Sequence, residues 1–264
     1  MKSPDAIVIT CEHGGNRIPP RYRELFRGHE ALLRTHRGYD AGALRMARDM
    51  AEALASALES PLAMMAVSTI SRLLVDLNRS PGHPGLYSDA TRAASAAIRE
   101  EIFRRHYLPY RGKVEHCIAG AIAGGARVIH LSCHSFTPEL DGDVRNADIG
   151  LLYDPAREAE SELCRRWRVA LQVHASGLRT RMNYPYSGNA DGFTTHLRRR
   201  FSGDAYLGIE LEINQKHVLA HGRHWQQVRR GVVQAFQHAL LEEKEPRPVA
   251  GAQGMRKRPA PDAH

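Results

Sequence analysis

An α/β fold is what this sequence predicts: one domain with a mixed, mostly parallel sheet and helices on both faces. Three observations carry the prediction. Short apolar, β-branched runs alternate with amphipathic helical stretches along the chain, the order that builds crossovers between parallel strands. Two of these runs finish in coordinating side chains, as strands of open α/β sheets do at their ligand-binding edge: residues 6–10 lead into Cys11, Glu12 and His13, and the run from Arg127 leads into Cys133, His134 and Ser135. Finally, 264 residues with 42% hydrophobic and 25% charged side chains suffice for a full core.

Taken in order, residues 6–10 (Ala-Ile-Val-Ile-Thr) form the first buried strand. His13-Gly14-Gly15 follows, where two glycines let the backbone turn sharply and approach a ligand closely. Leu44, Ala47, Ala51, Leu54 and Leu58 recur at helical spacing and predict a helix over 43–58. Asp40 stands at its N-cap position, where capping is reason enough for an aspartate and where a carboxylate also reaches a cation at the sheet edge. Two further strands are expected near 64–67 and 73–77. In the second, alternation sets Arg72, Leu74 and Asp76 on one face and Leu73, Val75 and Leu77 on the other. Such charges need partners: either Arg72 and Asp76 pair with each other, or Asn78 and Arg79 beyond them present a donor fork to a substrate carboxylate.

A helix is predicted from Thr91 through Ile98, Ile102 and Tyr107, with a break near Pro109 and a shorter helix over 114–123 before the strand from Arg127. Residues 138–148 read as polar loop, 149–153 as a strand, and Pro155 as the first turn of a long helix to about Ala175. A basic stretch at 178–182 has the make-up of a strand, and the Tyr-, Asn- and Gly-rich residues 183–188 that of a pocket lid or a tight connection. A helix runs through Leu197. In 206–214, period two places Glu210, Glu212 and Asn214 on one face and Ile209, Leu211 and Ile213 on the other. An amphipathic helix near 224–241 closes a domain of residues 1–242, and 243–264, rich in Pro, Gly, Arg and Lys, reads as a disordered basic tail.

The net charge of +8 does not mean nucleic acid, because no recognition motif accompanies it, aromatic residues are 6%, and much of it is scattered or gathered in Arg256, Lys257 and Arg258. No apolar run approaches the roughly 20 residues of a membrane span. The first residues lack the apolar core of a signal peptide, and four cysteines read as reduced thiols, which points to the cytoplasm. Paired carboxylates on the face of an apolar strand demand a cation, a base or a proton. His13, His134 and an acidic residue make a three-ligand site open to water, the composition of a catalytic zinc centre. There a metal lowers the pKa of water and polarises a carbonyl, and Glu212 is the general base that passes the proton to a leaving amine. Cys11 and Cys133 are the other ligand candidates, but their spacing to the histidines matches no common zinc motif.

The motifs Glu12-His13-Gly14-Gly15-Asn16-Arg17-Ile18-Pro19, Tyr39-Asp40-Ala41-Gly42-Ala43, Ser71-Arg72 with Val75-Asp76-Leu77-Asn78-Arg79, His134-Ser135-Phe136, Asn183 with Pro185-Tyr186-Ser187-Gly188, and Glu210-Leu211-Glu212-Ile213-Asn214-Gln215 closely resemble the N-formylglutamate amidohydrolase family, in order, over about 6–240. That family in turn is similar to the zinc carboxypeptidases and deacylases. The resemblance implies a zinc-exopeptidase-like (phosphorylase/hydrolase-like) fold around one Zn2+ per chain. It implies His13 and His134 as zinc ligands, Asn78 and Arg79 as the grip on a terminal carboxylate, and Glu212 as catalytic glutamate. Carboxypeptidases carry a glutamate three residues after the first histidine, whereas this chain has Asn16. The third ligand must come from elsewhere: Asp40 is the first choice and Glu12 the second. Arg72 is expected to stabilise the oxyanion, while Arg181 and Asn183 line the substrate and Arg179 with Arg181 favours an acidic one. The implied activity is hydrolysis of an N-acyl amino acid, such as N-formylglutamate to formate and glutamate, with that small molecule as partner and no nucleic acid or membrane. The alternatives are a non-catalytic binding protein for an acidic small molecule and an amidase or carboxypeptidase acting on a peptide-like substrate. Oligomeric state is left open.

Overall fold

The computed structural model describes residues 5–57, 62–220 and 222–242; the expected basic tail, and Leu58 of the first helix, lie outside them. The strands are β1 (Asp5–Cys11), β2 (Leu62–Val67), β3 (Arg127–Phe136), β4 (Glu139–Leu140), β5 (Asp143–Val144), β6 (Ile149–Leu152), β7 (Thr180–Met182) and β8 (Tyr206–Asn214). The helices are α1 (Ala43–Ala57), α2 (Asp89–Arg92), α3 (Ala96–Ile102), α4 (Leu108–Ala123), α5 (Glu158–His174), α6 (Phe193–Arg198), α7 (Gln215–Leu219) and α8 (Gly222–Glu242). Six strands make one sheet in the order β2-β1-β3-β8-β6-β7, and β4 pairs with β5 in a separate hairpin. Every pair in the sheet is parallel except β6 with β8. This is the mixed, mostly parallel α/β architecture the sequence predicts.

Strand periodicity sorts the side chains. Ile7, Ile129 and Leu207 stand in register and face one way, against Met46 and Met50 of α1, Trp167 of α5 and Phe236 of α8. Val8, Val128 and Tyr206 belong to the other face, covered by Val114 and Ile118 of α4 and Phe193 and Leu197 of α6. Cys11 and Cys133 fall on the first face, in the core under α1, and none of the four cysteines is in a disulfide. On the second face, polar residues collect towards the carboxyl ends of the strands. Thr10 and Tyr206 bracket the buried His130 ring, at 2.8 and 2.7 Å from its two nitrogens. Burial presses that imidazole down to about 4, so it is neutral there.

Several expectations are corrected. Residues 73–77 are not a strand: 72–79 is a series of turns, with Leu74 N donating to Ser71 O at 3.0 Å and Arg79 N to Asp76 O at 3.2 Å. Its alternation has another cause, because Leu74 and Leu77 pack with Tyr22, Phe26, Ile102 and Tyr107 in a small separate core, while Arg72 and Asp76 bond each other. β3 does not stop at Cys133 but runs through His134 to Phe136, since β8 pairs with it all the way, His134 opposite Glu212. There is no break at Pro109: a wide π turn over 103–107 joins α3 to α4, and the proline sits in the first turn of α4, where no N–H is needed. α5 begins at Glu158, three residues beyond Pro155. The 138–148 loop contains the β4–β5 hairpin, and α7 was not foreseen. No helix of the described residues is long and apolar enough to cross a membrane.

Candidate metal centre

The centre lies where β1, β3 and β8 end. His13 follows β1 in a loop that only glycine permits: a Cβ on Gly15 would stand 2.5 Å from the Thr69 carbonyl oxygen. That close approach seats the loop against the chain leaving β2, and Asp40 N donates to His13 O at 2.9 Å, so the start of α1 is tied to the same loop. His134 comes up from β3 on the α4 and α6 side. As a result His13, Asp40 and His134, far apart in the chain and each no more than 5% exposed, hold ligand atoms within 4.8 Å of one another. The two imidazole centroids are 5.0 Å apart.

Each ring offers the same nitrogen inward. Asp40 Oδ2 lies 3.3 Å from His13 Nδ1 and 2.8 Å from His134 Nδ1. The outer nitrogens are already engaged. His13 Nε2 is 2.7 Å from Asp76 Oδ1, and His134 Nε2 is 2.9 Å from Ser132 Oγ and 3.3 Å from Glu12 Oε2. Ser132 donates to the same Glu12 oxygen at 2.7 Å, and the Tyr110 hydroxyl lies 3.0 Å from the other. An imidazole whose Nε2–H is held by a carboxylate has Nδ1 free to coordinate, the arrangement that orients metal-binding histidines. Glu12 therefore stands behind His134, and Asp40 is the carboxylate between the rings.

Asp76 Oδ2 accepts from Arg72 at 3.1 Å (Nε) and 2.7 Å (Nη2), with Arg72 Nη1 reaching 3.5 Å from Asp40. Burial by itself raises Glu12, Asp40 and Asp76, but hydrogen bonds and charges from His134, His13 and Arg72 overcome it and hold all three below the usual carboxylate range. Burial opposes the charge on His134 too, and Asp40 and Glu12 prevail, raising it well above 6.5. Without a cation, then, the cluster stabilises a proton on His134; a cation at Nδ1 replaces that proton. Glu212 differs. Its Oε2 is buried with no hydrogen-bond partner, and burial lifts its carboxyl to about 8, assisted by the charges of Asp40 and Glu210. Two nitrogens, one carboxylate and an unpartnered acid nearby are a donor set that fits one divalent transition metal with an open position.

The other expected residues surround this centre. Arg72, about a quarter exposed, is the Asp76 partner just described. Asn78 Oδ1 accepts from Phe193 N at 2.7 Å, and Arg79 Nη1 donates to Asp191 O at 2.7 Å. A Cβ on Gly192 would lie 3.2 Å from Glu210 Oε1 and 3.3 Å from Asn78 Oδ1, so Asn78 stands near Glu210. Asn183 Oδ1 accepts from Tyr153 N at 3.0 Å and Gly188 N at 3.1 Å, which pins the 183–188 loop to the end of β6. Arg181 is exposed and lies over the Tyr184 ring, 4.2 Å from its centroid. Tyr184 in turn meets Phe136 edge-on at 6.4 Å, and Arg145 donates to the Tyr186 hydroxyl at 3.0 Å. Sequence reasoning missed Ser132, Tyr110 and the bond from Asp76 to His13. Ser132 was findable, since period two places it on the face of His134; nothing local marks Tyr110.

The chain matches the N-formylglutamate amidohydrolase family over residues 5–219. Among solved structures it is similar to gene product Atu2144 from Agrobacterium tumefaciens, 27% identical with a TM-score of 0.75 over 90% of this chain and 92% of that one. It is also similar in fold to an N-formylglutamate amidohydrolase from Ralstonia eutropha JMP134, 18% identical with a TM-score of 0.63 over 90% of this chain and 94% of that one. No curated protein matches the chain.

Proposed function

The chain belongs to the N-formylglutamate amidohydrolase family, and from that premise we propose that it is a metal-dependent hydrolase that cleaves the amide of an N-formyl amino acid, N-formylglutamate first among them, to formate and the free amino acid. The observation that carries the reading is the convergence of His13, Asp40 and His134 beside an acid with an unpartnered oxygen. In this proposal those three residues hold one Zn2+, which when bound supplies Lewis acidity to the carbonyl and a lowered pKa to water.

Glu212 takes the proton from water as it adds to the carbonyl carbon, then delivers it to the amide nitrogen as the C–N bond breaks. A carboxyl raised by burial suits both halves, and a divalent charge nearby draws it back towards a base at neutral pH. Asp76 and Glu12 keep the Nε2 protons of the two histidines in place. Arg72, anchored on Asp76, faces the developing oxyanion. Arg79, with the part of its fork not on Asp191, and Asn78 take the α-carboxylate. Arg181 and the Tyr184–Tyr186 loop address the acidic side chain.

The test is turnover of N-formylglutamate by protein carrying close to one zinc per chain, with Glu212→Gln as control. Loss of turnover with retained metal supports the assignment. Equal turnover by Glu212→Gln removes Glu212 from the chemistry, and protein that binds no metal removes the proposal.

A further inference from the structure

A cavity of about 260 Å3 lies beside the metal centre, on the side of β2. Val67, Ile70, Val75 and Leu77 give it apolar walls, and Tyr110 lines it as well. Arg17, Arg105 and His106 stand at the same cavity, both arginines at exposed positions on its rim. Arg17 has no ion pair among the described residues. Arg105 pairs among the described residues with Glu101 alone, at 3.5 Å, a carboxylate that already takes Arg21 at 3.3 Å and the Tyr22 hydroxyl at 3.1 Å. His106 has no hydrogen bond to its ring among the described residues and meets Tyr22 edge-on at 5.5 Å. Burial, then the charges of Arg105 and Arg17, push its imidazole below the ordinary range. Glu12 offers no relief, because Tyr110, Ser132 and His134 occupy it.

Two arginine forks and an imidazole at the rim of a cavity with apolar walls suit an anion with an apolar body. We propose that this cavity binds a small organic carboxylate, its body against Val67, Ile70 and Leu77 and its head at Arg17, Arg105 and His106, at a site separate from the metal centre. The volume is just below the roughly 300–1,000 Å3 of ordinary ligand pockets, which limits the body to a single ring or a short chain. An arginine fork matches a carboxylate better than any neutral group of the same shape. The site requires no turnover, so it stands or falls independently of the hydrolase reading.

Benzoate is the probe and benzamide its neutral counterpart, followed by calorimetry and by the NMR signal of the His106 ring in the full chain. Benzoate is expected to bind once per chain and to raise the pH at which His106 titrates, with benzamide weaker by about tenfold or more. Arg17→Ala and Arg105→Ala, both at exposed positions, should each weaken benzoate by about tenfold, and Ile70→Trp should fill the cavity and abolish binding. Zinc-loaded and chelator-treated protein should bind it equally. Absence of saturable binding overturns the proposal. So does binding indifferent to both arginine variants, or binding that requires the metal, which would put the probe at the metal centre.

Discussion

Asp76→Asn changes one atom of the cluster and tests its design. In the parent, Oδ1 accepts from His13 Nε2 at 2.7 Å and from Asn78 N at 2.9 Å, while Oδ2 accepts twice from Arg72. All four partners are donors. An asparagine must turn its amide NH2 towards one pair or the other, so one set of donors faces a donor whichever way it sits. If the NH2 faces Arg72, the guanidinium keeps only Asp40, at 3.5 Å; if it faces His13, the ring loses the acceptor that fixes its tautomer. Loss of such an outer partner typically weakens metal affinity by about 10–100-fold, or about 1.4–2.7 kcal/mol. Breaking a buried ion pair from one side removes roughly 3–5 kcal/mol of stability. Arg72 is 26% exposed and solvent answers part of its charge, so about 2–3 kcal/mol is expected for metal-free protein. Competition against a chromophoric chelator reads the first quantity and urea denaturation of the metal-free protein the second. A variant that folds normally and binds zinc as tightly as the parent would refute the idea that His13 meets the cation through Nδ1 with Asp76 behind it.

Glu212 gives a pH dependence of known sign. Its folded pKa, about 8, lies above the ordinary 4.5, so between these values the folded state holds a proton that the unfolded state has lost, and metal-free protein loses stability as pH rises through that window. Glu212→Gln should flatten that decline, so urea midpoints of the two proteins compared at pH 5 and pH 9 must differ in slope; parallel curves would show that the buried carboxyl is not the cause. Arg198→Met should cost about 3–5 kcal/mol by urea denaturation, because Arg198 lies 3.0 and 3.1 Å from the two oxygens of the fully buried Glu160 and also caps the carbonyls of Gly188 and Gly208; a loss below about 1 kcal/mol would mean that Glu160 is otherwise compensated. Gly150→Ala would set a Cβ 1.9 Å from the Tyr184 carbonyl oxygen. Backbone cannot yield as a side chain can, so a loss of at least about 1–3 kcal/mol, with a lower melting temperature, is expected, and an unchanged one would show that the 183–188 loop moves freely.

Local pattern reached far into this protein because the sheet at its centre obeys a local rule. Period two assigned Ile209, Leu211 and Ile213 to one face and Glu210 and Glu212 to the other, and β8 has that arrangement, with Ile209, Leu211 and Ile213 in the core under α5 and α8. The same rule misread 73–77, where Arg72 and Asp76 share a side because a turn brings residues four apart together. Alternation alone cannot tell a strand from such a turn; the difference lies in whether a neighbouring strand is there to pair. It also placed the end of β3 too early, since polarity at Cys133, His134 and Ser135 says nothing of the ladder that β8 supplies.

Which residue types gather at the sheet edge was therefore written in the sequence, for a side chain's face follows from its own neighbours. Which atoms meet there was not. Glu12 adjoins His13 and stood second to Asp40 as the expected third ligand; the strand places Glu12 below His134, against Ser132 and Tyr110, while the start of α1 carries Asp40 between the rings. Partners separated by 63, 94 and 120 positions leave no local trace of one another. Only the packing of helices on the sheet brings them within bonding distance.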